Sequence, residues 1–584
     1  MASDYKRLIA LLGTGVALVL PGTAQAQSIA YGNVIGSGSQ ASDGRGTDSS
    51  AEADDDGDVR ALRGRSGGRK VKVTPYIEAQ QVAFADLNGG GREVLTYSVL
   101  SAGIDAGISG RNNQASVSAR YERRFGWNKS KDSDAYSGLA RASLGVVPQA
   151  VQFEAGAVAT RTAIASNGAV ITGSQDFADN VTQVYSVYAG PQLATRVGNV
   201  AVTGSYRAGY TRVDSGDVIA PAAVNPTVDL FDESITHNAA IRAGIKPGDG
   251  LPVGIGVGGG YNREDISNLD QRIEDRWARS DVTVPITPDL HVVGGVGYEK
   301  VQVSSRDAAR DPVTGAPVTG ADGRYVTDKT APRTIAYNAD GLIWDAGLVW
   351  RPSRRVGLSA HVGRRYGSTS YYGSFAYAPS ERSSFNVSVY DSIDGIGGQL
   401  NKALASLPTD FEAVRNPFNG SLGGCVATGG SIDGEQSPCL SNALGSVRSA
   451  VFRARGVMAS YGYTGNRIQF GVGAGYDRRK FIAAPGTVLA AANGVVDENI
   501  WVAAYLNGRI DRNSSFSTSV HGNLFESGDA LAGETTAIGA TAAYYRQLTR
   551  KLTASAAVGV DGIKRENLPE AWSGQAMVGL RYSF

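Results

Sequence analysis

The side chains best suited to chemistry are few and scattered. Four histidines occur, His237, His291, His361 and His521, and two cysteines, Cys425 and Cys439. Nucleophilic catalysis needs a Ser or Cys, a His and an orienting carboxylate brought together. His521 stands among serines and His361 beside Arg364 and Arg365, yet no triad pattern surrounds either, so no catalytic residue is predicted and the chain reads as a non-enzyme. The cysteines lie 14 positions apart in a Gly- and Ser-rich stretch, far from every histidine. That placement argues against a metal site and for a local Cys425–Cys439 disulfide in an oxidising compartment. The Asp-rich run at 52–58 lacks the glycine position and the distant glutamate of a calcium loop. The glycines from Gly254 to Gly260 match part of a dinucleotide fingerprint, but they open no helix. No metal and no cofactor is therefore expected.

A second set of residues shares a register instead of a site. Arg120, Arg124, Arg141, Arg207, Arg365 and Arg581 fall on the polar face of alternating stretches, with Glu122, Glu154 and Asp477 among them. Such a set has two readings. It forms a basic lining that favours anionic solutes, or the charges pair and brace the wall that carries them.

The elements that would hold this register are strands. Short polar breaks at 111–113, 148–149, 196–199, 246–250, 287–289, 352–354, 379–382, 464–466, 511–513 and 549–551 separate alternating runs. Longer connections at 163–180, 214–233, 263–274, 304–334, 391–447, 483–497, 525–534 and 561–570 take turns with them. A meander whose two ends face different surroundings gives this alternation. The prediction is an all-β, transmembrane, antiparallel up-and-down β-barrel of about 22 strands (range about 20–24), spanning 72–584, with short periplasmic turns and long extracellular loops. In the glycine-rich strand 251–261, Val253, Ile255, Val257 and Tyr261 share one face and glycines the other, which a wet lumen wall with little to pack against would tolerate. Trp127, Trp277, Trp350, Trp501 and Trp572 fall at predicted strand ends, where an interfacial girdle sits, with Trp344 the exception.

The N-terminus agrees with export. Lys6 and Arg7, an apolar run at 8–20 and the small-x-small Ala24-Gln25-Ala26 read as a signal peptide over 1–26. The run is too short to span a membrane as a helix. Residues 27–71 are rich in Gly, Ser and Asp and read as a flexible periplasmic segment. A net charge of +1 points away from nucleic acid. The last residues, 572–584, alternate strictly and end on Leu580, Tyr582 and Phe584. This ending resembles the C-terminal signal that hands Gram-negative outer-membrane proteins to the barrel-assembly machinery. The stretches Val73–Val82, Leu95–Asp105 and Ala119–Arg124 look like an uncharacterised alphaproteobacterial outer-membrane group, and the whole chain is more loosely similar to putative β-barrel porin families. Members are sometimes labelled as the small accessory subunit of the preprotein translocase, a label that implies a short protein with one membrane helix, which this chain lacks. The resemblance implies residence in the bacterial outer membrane, among its lipids.

The functional expectation is a porin-like channel for small solutes, with anions favoured. A structural or export-partner barrel, for example in surface polysaccharide secretion with a periplasmic or extracellular protein partner, is the alternative, and a barrel-embedded hydrolase a third reading. Barrels of 22 strands usually hold a plug, but residues 27–70 are far shorter than the plug domain of TonB-dependent receptors. The 391–447 loop is the other source of obstruction. Its Leu400, Leu404 and Leu407 share a helical face, so a disulfide-pinned helix either folds inward as a constriction or caps the barrel outside.

Overall fold

The computed structural model describes residues 70–584 except 89–93, 111, 128–131, 149, 165–169, 172–180, 216–228, 321–322, 410, 419, 421, 429–445, 530–532 and 567–568. The predicted signal peptide and nearly all of the 27–71 segment lie outside the described residues.

The chain is built from strands. The first run comprises β1 (Lys70–Asp86), β2 (Val94–Ser109), β3 (Asn113–Trp127), β4 (Ser133–Val147), β5 (Val151–Ile164), β6 (Val170–Ile171), β7 (Val181–Val197) and β8 (Val200–Ser215). Next come β9 (Glu233–Ile245), β10 (Gly254–Ile266), β11 (Gln271–Pro285), β12 (Leu290–Ser305), β13 (Thr334–Ser353), β14 (Val356–Arg365), β15 (Ser368–Ser380) and β16 (Ser383–Asp394). A helix, α1 (Ile396–Ser406), and two short strands, β17 (Phe411–Arg415) and β18 (Leu422–Thr428), interrupt the series. It resumes with β19 (Phe452–Thr464), β20 (Ile468–Phe481), β21 (Val496–Arg509), β22 (Ser514–Glu526), β23 (Glu534–Gln547), β24 (Leu552–Arg565) and β25 (Ala571–Ser583).

The main sheet has 23 strands; without the two-residue β6, which only extends the tip of β5, 22 antiparallel strands form the ring. It closes where β1 pairs with β25, from Tyr76↔Ser583 to Asp86↔Ser573. Closure satisfies the backbone of both terminal strands, which an open edge in lipid could not do. The terminal residue is held too, because the Phe584 N–H donates to the carbonyl oxygen of Pro75 at 3.0 Å.

Alternation sets the two faces. On β25, Ser573, Gln575 and Met577 are buried inside while Val578, Leu580 and Tyr582 stand exposed outside. The same rule exposes Val558 and Val560 on β24, Val292 and Val296 on β12, and Ile255 and Val257 on β10. An apolar outer face over strands long enough to cross a bilayer is the lipid-facing surface of a membrane barrel.

Three expectations need correction. The predicted long connection at 263–274 is only the short turn 267–270 between β10 and β11. Arg263 and Arg272 each reach Asp265 at 2.5 Å across this hairpin, so the charged stretch is a strand extension and not a loop. Trp277 and Trp501 lie on the inner register, the latter buried at 4% exposure, so neither belongs to an interfacial girdle. The inner wall is also not bare beside its glycines. A Cβ on Gly260 would meet the Trp277 ring, one on Gly475 the Trp501 ring, and those on Gly256 and Gly295 the guanidiniums of Arg242 and Arg279. These glycines leave room for large side chains from the neighbouring strand, which is why they recur on that face.

One upper connection is as tight as any lower turn. Tyr366 and Gly367 join β14 to β15 with φ of 51° and 64°, the conformation of a type I′ hairpin turn. Tyrosine is unfavourable there, and its surroundings hold it. Its N–H donates to Glu299 Oε2 at 2.9 Å, and its carbonyl accepts from the Tyr337 hydroxyl at 2.6 Å.

The face assignment is testable. Val578 lies mid-strand on the outer face, so Val578→Arg is expected to cost about 2–4 kcal/mol of barrel stability in a bilayer. Reversible folding into lipid vesicles measures it, and a cost near zero would contradict the outer placement.

Candidate functional site: a loop folded into the barrel

The described residues of the longest upper connection, 395–451, lie inside the barrel. It begins with α1, whose sequence suits a helix: leucines spaced by four, no β-branched residue after Ile396, and Gly395 in extended backbone ahead of it. Ile396, Leu400, Leu404 and Leu407 are buried in one cluster with Val158, Val184 and Val213 of the wall. The helix lies against β5, β7, β8 and β9. The predicted leucine face is therefore present, and of the two directions the inward one is observed. On the polar flank, Asn401 Nδ2 donates to Thr211 Oγ1 and Thr236 Oγ1, each at 3.3 Å, and its Oδ1 accepts from Ser186 at 3.2 Å.

Charges fix both ends of α1. Glu264 of β10 accepts from the backbone N–H of Gly395 at 2.8 Å and of Gly398 at 3.0 Å. Those amides have no partner within the helix, and the dipole favours an anion there. A Cβ on Gly395, Gly397 or Gly398 would collide with Glu264, Ile266 or Ser234, so the glycines permit the close approach. At the other end, Arg141 of β4 donates through Nε to the Leu407 carbonyl and through Nη2 to that of Ala405, both at 3.0 Å.

Beyond the helix the insert runs deep. Thr409 Oγ1 donates to Gln114 Oε1 at 2.8 Å, and Gln114 is the second residue of β3 from the short-turn end. The hairpin β17–β18 then lies over the closing seam of the ring, with β17 beside β3 and β18 beside β19 and β20. Arg415 bonds Ser137 Oγ and the Ser118 carbonyl, and Phe418 is buried among Val82, Tyr97, Val99, Ala543, Ala557 and Met577. The limb 446–451 returns to the rim, where Ser449 donates to Asp229 at 2.5 Å and Arg479 to the Ser446 carbonyl at 2.9 Å. Burial pushes the Asp229 carboxyl above its ordinary range, against the opposing hydrogen bonds from Ser449 and Asn268. Arg324 of the 306–333 loop donates to the carbonyls of Phe231 and Val213, each at 3.0 Å, tying the neighbouring rim loops together.

All six sequence-predicted arginines lie on inner-register positions, and each has an acceptor. Arg120 reaches Glu78 and Glu122, Arg124 stands 3.5 Å from Glu122, and Arg207 is 3.6 Å from Glu154. Arg365 bridges Asp275 and Glu299, and Arg581 reaches Asp105 at 2.8 Å with its guanidinium over the Tyr76 ring. Arg141 holds the helix. Of the acidic residues read with them, Asp477 accepts from Arg479 and from the Tyr390 hydroxyl. Further pairs escape the sequence reading: Arg242–Asp281, Arg279–Asp345 and Arg453–Asp391. Spacing of opposite charges by two, as in Arg120-x-Glu122 and Arg279-x-Asp281, puts both on one face of a strand, but it does not reveal these cross-strand partners. Nothing in the sequence marks Glu264 as the partner of the helix.

His361 and His521 each face a carboxylate. His361 Nδ1 is 3.0 Å from Asp345 and stacks on Tyr372, and His521 Nε2 is 3.7 Å from Asp561. Cys425 lies in β18 and Cys439 outside the described residues. Leu580, Tyr582 and Phe584 are exposed on the outer face.

The closed ring, its apolar outside and its charged, occupied inside define a transmembrane β-barrel of the bacterial outer-membrane type. No family model and no curated protein matches the chain. Among solved structures it is similar to the ferric-catecholate import receptor Fiu of K12 E. coli, at 10% identity and a TM-score of 0.41, over 87% of this chain and 81% of that one. It is also similar to the siderophore receptor PiuA of Acinetobacter baumannii, at 7% and 0.39 over 87% and 82%. For Pseudomonas aeruginosa OpdQ the values are 8% and 0.29 over 88% and 98%.

The helix anchors carry a prediction. Glu264→Ala leaves two buried amides without an acceptor, a loss of about 1.5–3 kcal/mol. Amide exchange over 396–407 is then expected to accelerate about ten- to hundredfold while the barrel strands keep their protection; unchanged exchange in α1 would show that Glu264 does not hold it.

Proposed function

We propose that the protein is an outer-membrane channel for small solutes whose width is set by its own 395–451 insert, and that it transports rather than catalyses. The observation supporting this is the course of the insert, from Glu264 at the rim to Gln114 near the short-turn end and on to Phe418 at the seam where β1 meets β25. A ring of 22 strands encloses more space than wall side chains fill, and here a loop occupies part of it. Because the six predicted arginines all have acceptors, the reading is one of weak charge selectivity along most of the path. A disulfide between Cys425 and Cys439 would tie the insert's second limb to itself. Leu580, Tyr582 and Phe584 would serve recognition by the assembly machinery.

Planar-bilayer recording of the refolded full chain tests the proposal. Wild type is expected to show small steady conductance with a low reversal potential in a salt gradient. Replacing 397–445 by a short Gly-Ser linker is expected to raise unitary conductance several-fold, and reductant to act in the same direction. Equal conductance with and without the insert would remove it as the constriction. Silence of both proteins would end the channel reading.

A further inference from the structure

The two ends of the barrel differ in how they carry exposed charge. At the upper end bases stand beside acids: Arg212 with Asp214, Arg276 with Glu274, Lys300 with Asp340 and Lys564 with Glu570. Along one arc of the short-turn end the bases outnumber the acids. Five successive turns, those after β13, β15, β19, β21 and β23, carry Arg354 and Arg355, then Arg382, Arg467 and Arg512, then Arg550 and Lys551, all exposed. The acids of the same turns are Glu381 and Asp511, so seven bases and two acids leave a net charge of +5. No Asp or Glu lies within five residues of these turns on the strands that flank them, where Arg509 and Arg546 add to the same sign.

Backbone hydrogen bonds hold these turns in a row. The carbonyl of Arg355 accepts from the Ala378 N–H at 2.8 Å, that of Arg382 from Thr464 at 2.7 Å, that of Arg467 from Arg509 at 2.8 Å and that of Asn513 from Gln547 at 2.7 Å. Each turn is thus bonded to the hairpin that carries the next, and the carbonyl of Lys551 in the last accepts from Ser583 of β25 at 2.8 Å. Successive turns therefore lie two strand spacings, roughly 10 Å, apart. Above them the outer face carries an apolar and aromatic belt. Tyr461 and Tyr463 share the outward register of exposed Val457, and Phe470 that of exposed Ile468 and Val472. The Phe470 ring stands 5.7 and 5.5 Å from the two tyrosine rings. Ile510 and Leu548, inside two of the turns, are exposed, and the Lys551 ammonium lies 5.8 Å from the centroid of the outward Tyr582 ring. Aromatics at this height mark the boundary between hydrocarbon and headgroups, so the bases just past them stand at the depth of the headgroup phosphates.

We propose that this arc binds the phosphate groups of anionic phospholipids, such as phosphatidylglycerol, in the periplasmic leaflet. The planar fork of arginine donates in pairs to phosphate oxygens, and a row of bases at a membrane surface attracts anionic lipid over zwitterionic lipid. The inference goes beyond the channel reading and is independent of it, because the arc borders lipid and not the path of a solute. The acidic run at 52–58 is the competing occupant, since β1 begins at Lys70 on the same end of the barrel, opposite Ser109. Arg60, Arg63, Arg65 and Arg69 follow that run and offer it counter-charges closer in sequence, whereas the arc is spread along the belt that lipid covers.

Electron paramagnetic resonance of spin-labelled lipid tests the arc, with the refolded full chain in phosphatidylcholine vesicles and the label on either phosphatidylglycerol or phosphatidylcholine. The motionally restricted fraction in contact with protein is expected to favour phosphatidylglycerol about three- to fivefold at low salt. Most of that preference should vanish in 1 M NaCl, where the Debye length is about 3 Å. The combined substitution Arg512→Gln, Arg550→Gln and Lys551→Gln should remove about half of it or more, while Arg276→Gln, Lys300→Gln and Lys564→Gln at the upper end should leave it near wild type. Should the lower triple variant fail to fold, Arg550→Gln alone should show the same direction of loss. Equal restriction of both lipids by wild type, or equal loss from both triple variants, would overturn the proposal. So would a preference that appears only after the residues before Lys70 are removed, which would give the arc to the acidic run instead.

Discussion

A backbone that crosses hydrocarbon must satisfy every N–H and C=O within the protein. The pairing of β1 with β25 meets that demand here, and the rest of the molecule follows from it. Closure forces an even antiparallel count, and the alternation of side chains then divides each strand between lipid and lumen. The outer half of the problem is solved by apolar side chains, chiefly Val, Leu, Ile and Tyr, with Phe125, Phe153, Trp127 and Trp344 among them. The inner half is harder, because a wide ring leaves a wet, charged interior that has to be ordered without a hydrophobic core of ordinary kind.

Two devices order it. The first is charge placed two residues apart on one strand and opposite charge on the next strand but one, as in Glu78, Arg120, Glu122 and Arg124 or Arg279, Asp281 and Asp345. Buried ion pairs contribute little net stability in general, because desolvation offsets attraction, but breaking one side is costly. They therefore fix register and side-chain position more than they add free energy. The second device is the 395–451 insert, which brings the apolar cluster around Leu400 and Leu404 into the lumen and gives the wall something to pack against. Glycines at 260 and 475 belong to the same economy of space, lying under tryptophans that would otherwise have no room.

Much of this is legible in the amino-acid sequence. The alternation of short and long connections depends on local turn chemistry, so the 22-strand count can be read directly. The leucine spacing at 400, 404 and 407 is a local helical signal and is equally visible. What the sequence hides is non-local. Whether Arg263, Asp265 and Arg272 sit in a loop or extend a hairpin depends on cross-strand pairing that spacing along the chain does not encode. Trp277 and Trp501 read as girdle residues because their depth is counted from assumed strand ends, and a shift of one register position moves a side chain from lipid to lumen. The inward course of the insert is hidden for the same reason: its anchors, Glu264 and Arg141, lie far from it in sequence and carry no motif.

Those two anchors also fix where the insert sits. The leucine face of α1 packs on an apolar patch of the wall, and apolar packing, being non-directional, does not by itself fix its position along that wall. The ends cannot slide, because the acceptor at Glu264 and the donors of Arg141 match the two poles of one helix at one separation. Arg141 is itself held in place, since the same guanidinium that binds the Leu407 and Ala405 carbonyls turns its remaining nitrogen toward Glu154 and the Tyr188 ring.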